Sequence, residues 1–162
     1  MSVAIALSKW PAVLLGGSWT LGGVGSDFEQ ALVSHLTNDA GVSALVASRV
    51  YPEPVPQNAT YPLICYMRIA STHEHVMGGA AGYLEARYQI KCWASSRSAV
   101  KTLADAVRLA LDGYSGAMGD ATVRGIFFDS DDDDYVPASQ AQAHARHGLR
   151  MDFVCNYTEA VP

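Results

Sequence analysis

The clearest feature of the chain is a change of hydrophobic period at Ser95. From Tyr83 to Ala94 apolar and polar residues alternate, which is the period of a half-buried strand. Beyond Ser95 the apolar residues recur at helical spacing: Val100, Leu103, Ala104, Val107, Ala110 and Leu111. The pattern predicts a strand that leads directly into a helix, with Ser95 or Ser96 as the cap and Gly113 at the end.

The two faces of this predicted strand differ in chemistry. One face is apolar and is expected to pack beneath the helix: Leu84, Ala86, Tyr88, Ile90 and Cys92. The other face is expected to stay uncovered by the helices, where a tryptophan would be unusual in a lone domain. We therefore expect this face to contact another subunit, and take four of its residues as interface candidates: Glu85, Arg87, Lys91 and Trp93.

Periodicity predicts one more helix and three more strands. The helix begins at Ser26, where Ser26 and Glu29 form a capping box, and a further short helical turn is allowed at Val42, Leu45 and Val46. The strands are predicted at Leu63 to Ala70, Thr122 to Phe128, and Leu149 to Tyr157. The order α-β-β-α-β-β predicts a single α+β domain, an antiparallel β-sheet with two helices packed on one face.

Two segments between the strands are predicted to be long loops. Thr72 to Gly82 exceeds the roughly 2 to 5 residues usual for a hairpin and contains three glycines. Asp129 to His147 begins with a run of acidic residues. We expect both loops to contact other proteins, and we take their most distinctive side chains as interface candidates: His73, His75, Asp131, Asp132, Asp133, Asp134 and Tyr135.

Residues 1–25 are expected to form an N-terminal arm ahead of a domain that spans residues 26–162. The apolar runs in the arm are interrupted at Lys9, Trp10 and Pro11, and neither approaches the ~20 residues that cross a bilayer. They also lack the organisation of a signal peptide. The glycine-rich part around Trp19 is poor in charge, so the arm is expected either to be disordered or to dock on a neighbouring subunit.

Composition narrows the functional classes. A chain of 162 residues, 49% hydrophobic, is large enough for one well-buried core. Its formal net charge of −5 argues against a protein that grips nucleic acid by neutralising phosphates. Cys65, Cys92 and Cys155 lie on or near the apolar phase of predicted strands, so we expect buried reduced thiols rather than a disulfide framework.

Two stretches of the sequence contain residue types that bind metals. His73 and His75 lie on one side of an extended segment, a spacing that metals use, but no third ligand is near in sequence. The acidic run starts like a calcium loop and then departs from it, since Asp134 replaces the turn glycine and Gln140 replaces the bidentate glutamate. We expect neither a metal nor another cofactor.

Catalytic motifs are also missing from the sequence, which contains no G-x-S-x-G elbow and no H-E-x-x-H pair. We therefore expect a protein that is not an enzyme. The alternative from a different class is a metal-dependent hydrolase that uses His73, His75 and the run from Asp131 to Asp134.

Several short motifs resemble one known family. They are Arg49-Val50-Tyr51-Pro52, Tyr61-Pro62, the strand motif Arg87-x-Gln89-Ile90-x-x-Trp93-Ala94, and Leu111-Asp112-Gly113-Tyr114. Together with the acidic segment and the final strand, they resemble the tail-completion proteins of long-tailed bacteriophages and gene-transfer agents, also called tail-terminator or head-tail joining proteins. The resemblance covers about Ser26 to Tyr157. The chain departs from the family at residues 1–25, because members of the family typically begin near the first helix.

The resemblance implies a structural protein of the virion. Members of the family form a ring, usually six-fold, that ends the tail tube and presents a surface to the neck, while DNA passes through the channel. In such a ring, Trp93 is expected to anchor an interface or to line the channel wall. The implied partners are further copies of the chain, the tail-tube protein and the head-completion or neck protein, with no membrane. Assembly is expected in the bacterial host cytoplasm. The alternative within the same setting is a tail-tube or head-completion protein.

Overall fold

The computed structural model describes residues 26–137 and 145–158, which contain three helices and six strands. The helices are α1 (Ser26–Asn38), α2 (Ala40–Val46) and α3 (Arg97–Leu111). The strands are β1 (Val50–Pro52), β2 (Leu63–Val76), β3 (Gly79–Ala94), β4 (Gly116–Met118), β5 (Ala121–Val136) and β6 (Arg146–Thr158). None of these helices is long and apolar enough to cross a membrane. The predicted arm, residues 1–25, lies outside the described residues.

All six strands belong to one sheet, in the order β1-β2-β3-β6-β5-β4. Every neighbouring pair is antiparallel except β1 and β2, which run parallel. The predicted α+β class is confirmed, whereas the predicted order lacks α2, β1 and β4. Strands of three residues are too short to show a period in the sequence. The short helix α2 occupies the allowed helical turn, and Asp39 caps it by accepting from the amides of Gly41 and Val42 at 2.9 and 3.0 Å.

The strand and helix at the period change are present as predicted. β3 ends at Ala94, and the Ser96 hydroxyl accepts from the amide of Ala99 at 3.2 Å at the start of α3. Beyond the end of α3, Gly113 has a φ of +78°, a conformation that favours glycine. The chain then returns to the sheet, because the amide of Gly113 donates to the carbonyl of Ile126 at 2.8 Å.

The first predicted loop, Thr72 to Gly82, is wrong. β2 continues to Val76 and pairs with β3 from Gly79, so the connection is a two-residue turn. The glycines serve the turn and its flanks, since Gly79 and Gly82 have φ values of +137° and +66°. The end of the hairpin extends beyond the core with its residues exposed, so it has no buried face and shows no strand period.

The prediction of a second loop, Asp129 to His147, is wrong for the first part of that segment. Residues Asp129 to Val136 belong to β5, and Ser130 to Val136 pair with β6, which begins at Arg146. The acidic run therefore forms a strand, and two of its carboxylates, Asp132 and Asp133, pair with cations of β6 and α3. The rest of the predicted loop, from residue 138 to 144 and including His144, lies outside the described residues.

One hydrophobic core joins the helices to one face of the sheet. Phe28 of α1 stacks on Tyr157 of β6 with ring centroids 4.1 Å apart and lies 5.4 Å from Tyr88 of β3. The buried residues of α3 and the apolar face of β3 belong to the same cluster: Val100, Leu103, Ala104, Val107, Leu111, Leu84, Ala86, Tyr88, Ile90, Cys92 and Ala94. The predicted apolar face of β3 is confirmed, and the opposite face of this strand points away from the core.

The three cysteines are buried and carry free thiols, as predicted. Burial raises the pKa of Cys65 to about 11 and that of Cys155 to about 12, and it raises the pKa of Cys92 further. Because the thiolate is the reactive form, we expect all three thiols to resist a thiol-specific reagent at pH 8 and to react together once the protein is unfolded.

The raised pKa values of the thiols make the stability of the fold depend on pH. Unfolded thiols ionise around their usual pKa of 9.0, whereas the folded thiols keep their protons to higher pH. The folded state then binds more protons, so the free energy of unfolding should decline as the pH rises above about 9.

Chromogenic thiol titration with and without denaturant measures how far folding protects the three thiols from the reagent. A thiol that reacts fast in the native protein would contradict the predicted protection.

Candidate assembly surfaces

Two surfaces contain most of the candidate residues: the face of the sheet opposite the helices and the β2–β3 hairpin. Asp131, Asp133 and Tyr135 lie on the helix-facing side of β5. We call the first surface the open face; on β3 it comprises Glu85, Arg87, Gln89, Lys91 and Trp93, which alternate with the core residues. On β6 their cross-strand neighbours are Asn156, Val154, Asp152, Arg150 and Gly148. The open face is polar at its centre, which separates it from the apolar face that packs against the helices.

Two cations at one end of the open face are paired with carboxylates. Lys91 Nζ donates to Glu53 Oε1 at 2.8 Å, and Glu53 directly follows β1. Arg150 Nη2 donates to Asp132 Oδ2 of β5 at 3.1 Å. Lys91 is only 19% exposed, so its pairing with Glu53 also shields the ammonium group from solvent.

The middle of the open face contains a second group of charges. A β-bulge between Phe128 and Ser130 gives Asp129 no cross-strand partner on β6, and Asp129 accepts a hydrogen bond from Arg87. Arg87 also lies 4.0 Å from Asp152, which accepts from Gln89 Nε2 at 3.1 Å. Arg87 therefore faces two carboxylates from two different strands.

The acidic run divides its charges between the two sides of β5. Asp132 pairs with Arg150 on the open face, whereas Asp133 pairs with Arg97 and lies 3.9 Å from Lys101 on α3. The opposing directions follow from the alternation of side chains along a strand. The sequence predicts a solvated acidic loop or a donor of interface salt bridges at this run. Its carboxylates are exposed, but Asp132 and Asp133 already have partners within the chain.

Trp93 is half buried rather than freely exposed. Its ring lies over Gly148 of β6, where an added Cβ would be 2.8 Å from the ring atom Cζ3. Beside it is a groove of about 250 Å³, whose lining includes Tyr61 and Arg146. The Arg146 guanidinium lies over the Tyr61 ring at 4.5 Å. Tyr135, another candidate, is exposed and its ring lies 5.1 Å from that of His147.

The structure separates the histidine pair from the aspartate run. His73 pairs with Leu84 of β3, whereas Asp132 lies across β6 from Lys91. These positions are 7 residues apart along β3 (84 to 91), which is about 23 Å at the usual rise of a strand. In the part of the chain that the structure describes, no three His, Cys, Asp or Glu side chains could hold a metal together. The residues of the alternative hydrolase therefore do not form one site.

The hairpin carries an apolar surface that the sequence patterns did not indicate. Val76 and Met77 at its tip are 62% and fully exposed, and Met67 and Ile69 are exposed nearer the core. β1 pairs with β2 only as far as Tyr66, so the outer edge of the rest of β2 has no strand neighbour within the described residues. An unpaired edge with apolar side chains is a surface on which another chain can pair or pack.

The comparisons with known proteins agree with the resemblance. Residues 30–152 match the model of the family described as "Tail completion protein gp17". Among solved structures, a chain of the "Virion of native gene transfer agent (GTA) particle" has a similar fold, with a TM-score of 0.66 and 18% identity over 85% of this chain and 99% of that chain. No curated protein sequence matches the chain. Because the family model spans 123 of the 162 residues (30 to 152), the chain belongs to the Tail completion protein gp17 family.

Proposed function

We propose that this chain forms a hexameric ring on the head-proximal end of a phage tail, where it ends the tail tube and joins it to the neck. The observation that carries the proposal is the family match over residues 30–152, because the family is one of structural tail proteins. The similar fold of a chain from a gene transfer agent virion supports a place in a phage-like particle.

The fold supplies what a closed ring needs. Head-to-tail contacts around a rotation axis require two different surfaces on each copy. One edge of the sheet ends in the apolar hairpin of β2 and β3, and the other carries the acidic half of β5, so the two edges differ in chemistry. We assign the hairpin, including His73 and His75, to the contact with the next copy.

The partners under this proposal are other copies of the chain, the tail-tube protein below the ring and the neck protein above it. DNA passes through the channel without a lasting contact. The ring is assembled in the host cytoplasm and stays in the finished virion. Asp131, Asp133, Asp134 and Tyr135 lie towards one end of the sheet, where they are available to the tube or the neck, whereas Asp132 pairs with Arg150 on the open face.

Deletion of the gene from a strain that produces the particle tests the proposal. We expect electron microscopy to show filled heads and unjoined tails of irregular length, with joining restored when the gene is supplied in trans. Joined particles of normal tail length in the deletion strain would contradict the proposal. Copy number separates the alternatives, because six copies per particle fit a terminator ring and large multiples fit a tail-tube protein.

The hairpin assignment predicts that a charge at the tip weakens assembly without unfolding the subunit. Met77→Asp should change the free energy of unfolding by no more than about 0.5 kcal/mol, because Met77 is fully exposed. The same change should lower the yield of joined particles several-fold, since a carboxylate at an apolar contact must lose its hydration. Denaturant titration measures the first effect and particle counting the second.

Leu109→Asp is the matched control for Met77→Asp. Leu109 is also apolar and 85% exposed, but it lies on α3. We expect this variant to fold and to assemble normally. If Leu109→Asp lowered the yield and Met77→Asp did not, the contact between copies would lie on α3 rather than on the hairpin.

A further inference from the structure

The open face has an unusual arrangement of charge. Its two central strands, β3 and β6, carry cations, and the flanking elements supply carboxylates to them. Three pairs follow this arrangement: Lys91 with Glu53, Arg150 with Asp132, and Arg87 with Asp129. A fourth cation, Arg146, lies over the ring of Tyr61. The basic side chains are therefore held by groups of the same chain.

We propose that the open face lines the DNA channel and that its carboxylates keep its cations from binding DNA phosphates. The inference rests on the proposed ring and deepens it, because it names the surface that meets the duplex. The partner is double-stranded DNA, which moves past the open face without being bound by it.

The charge balance of the open face supports a role in lining the channel. Among the paired side chains of the open face and their immediate neighbours, five carboxylates accompany four cations, a balance of 4 − 5 = −1. The cations are Arg87, Lys91, Arg146 and Arg150, and the carboxylates are Glu53, Glu85, Asp129, Asp132 and Asp152. Each phosphate that a free cation neutralises adds affinity that depends on salt, so unpaired cations would slow a moving duplex. A face with paired cations and a slight negative excess avoids that affinity.

The helical side of the molecule is less suited to this role. On α3, Arg97, Lys101 and Arg108 have side chains that are 52 to 65% exposed. Arg97 and Lys101 share a single carboxylate, Asp133. These cations are more accessible to phosphates than those of the open face, so a channel lined by α3 would hold DNA more strongly.

Docking of another protein on the open face is also disfavoured. A protein interface would have to desolvate the central carboxylates and their partners, and buried ion pairs often fail to recover that cost. Charged residues are depleted from the cores of such interfaces. Moving DNA leaves the face hydrated, so the ion pairs keep their water. Phe127 and Met67 on the open face are 52% and 39% exposed, whereas Val76 and Met77 at the hairpin tip are 62% and fully exposed.

Removal of the carboxylates tests the inference. In the purified chain, Glu53→Gln, Asp129→Asn and Asp132→Asn together free Lys91 and Arg150 and leave Arg87 with Asp152 only. We expect the variant to bind a fluorescent 30-base-pair duplex at least about tenfold more tightly than the parent chain at 50 mM salt. The slope of log K against log salt should become steeper by about 2, since roughly two further phosphates are neutralised.

The control variant changes the net charge by the same amount elsewhere. Glu74→Gln, Asp105→Asn and Asp120→Asn neutralise three exposed carboxylates that form no ion pair within the described residues. We expect little gain in DNA affinity from this variant. Equal gains in the two triple variants would overturn the inference, because net charge alone would then explain the binding. Circular dichroism checks that both variants fold, and the pair Asp129→Asn with Asp132→Asn replaces the first variant if it does not.

Particles that carry the first triple variant test the position of the open face. We expect normal numbers of joined particles and slower release of DNA. Tighter DNA binding by the purified variant with unchanged release would overturn the placement in the channel. Loss of joining would also overturn it, because the open face would then be an assembly contact. Failure of the proposed ring function is distinct, since it appears as normal joining in the deletion strain.

Discussion

Phe153→Ala is expected to lower the free energy of unfolding by about 3 to 5 kcal/mol, the usual range for loss of a buried aromatic side chain. Phe153 is fully buried on β6, and its ring lies edge-on to that of Phe128 with centroids 5.6 Å apart. The substitution removes contacts between β6 and β5 and leaves a cavity in the core. Urea titration followed by circular dichroism measures the change.

The adjacent residue provides the control. Val154 lies on the opposite face of the same strand and is half buried. Val154→Ala should cost less than about 1.5 kcal/mol, because a smaller and partly exposed group is lost. Equal costs at the two positions would mean that both faces of β6 are packed, and the open face would then not be open in solution.

Gly148→Ala is expected to destabilise the protein by about 1 to 3 kcal/mol, as overpacking usually does. The added Cβ would lie 2.8 Å from Cζ3 of Trp93 and 3.0 Å from two further atoms of the ring. Gly148 is not among the glycines with positive φ, so the cost comes from the contact and not from the backbone.

A double-mutant cycle with Trp93→Ala isolates this contact. In the Trp93→Ala background, the added methyl group meets no ring, so Gly148→Ala should cost nearly nothing. Denaturant titration of the four proteins gives the coupling. The same cost in both backgrounds would show that Trp93 does not lie over Gly148.

The regular parts of the fold could be predicted because their hydrophobic period is strong. Between Tyr83 and Leu111, the strand and the helix each bury one face. The residues on that face must be apolar, so their spacing in the sequence shows the type of element. The hairpin end could not be predicted in the same way. Residues from Met67 to Val76 are all exposed, so no face of the strand has to be apolar, and the pattern is that of a loop.

The open face could be predicted only in part. Alternation placed Arg87 and Lys91 on the side of β3 opposite the core, but their partners depend on the register of strands distant in sequence. The bulge at Asp129 changes that register by one residue, and no local pattern indicates it. Glu53 was missed for a similar reason, since only the pairing of β1 with β2 brings it to Lys91.

Reconstruction of the parent particle at side-chain resolution tests the central claim most directly. We predict a single ring of this chain between the end of the tail tube and the neck, with the open face turned towards the DNA and each hairpin on the next copy. Copies stacked along the length of the tube, or a junction without this chain, would contradict the account.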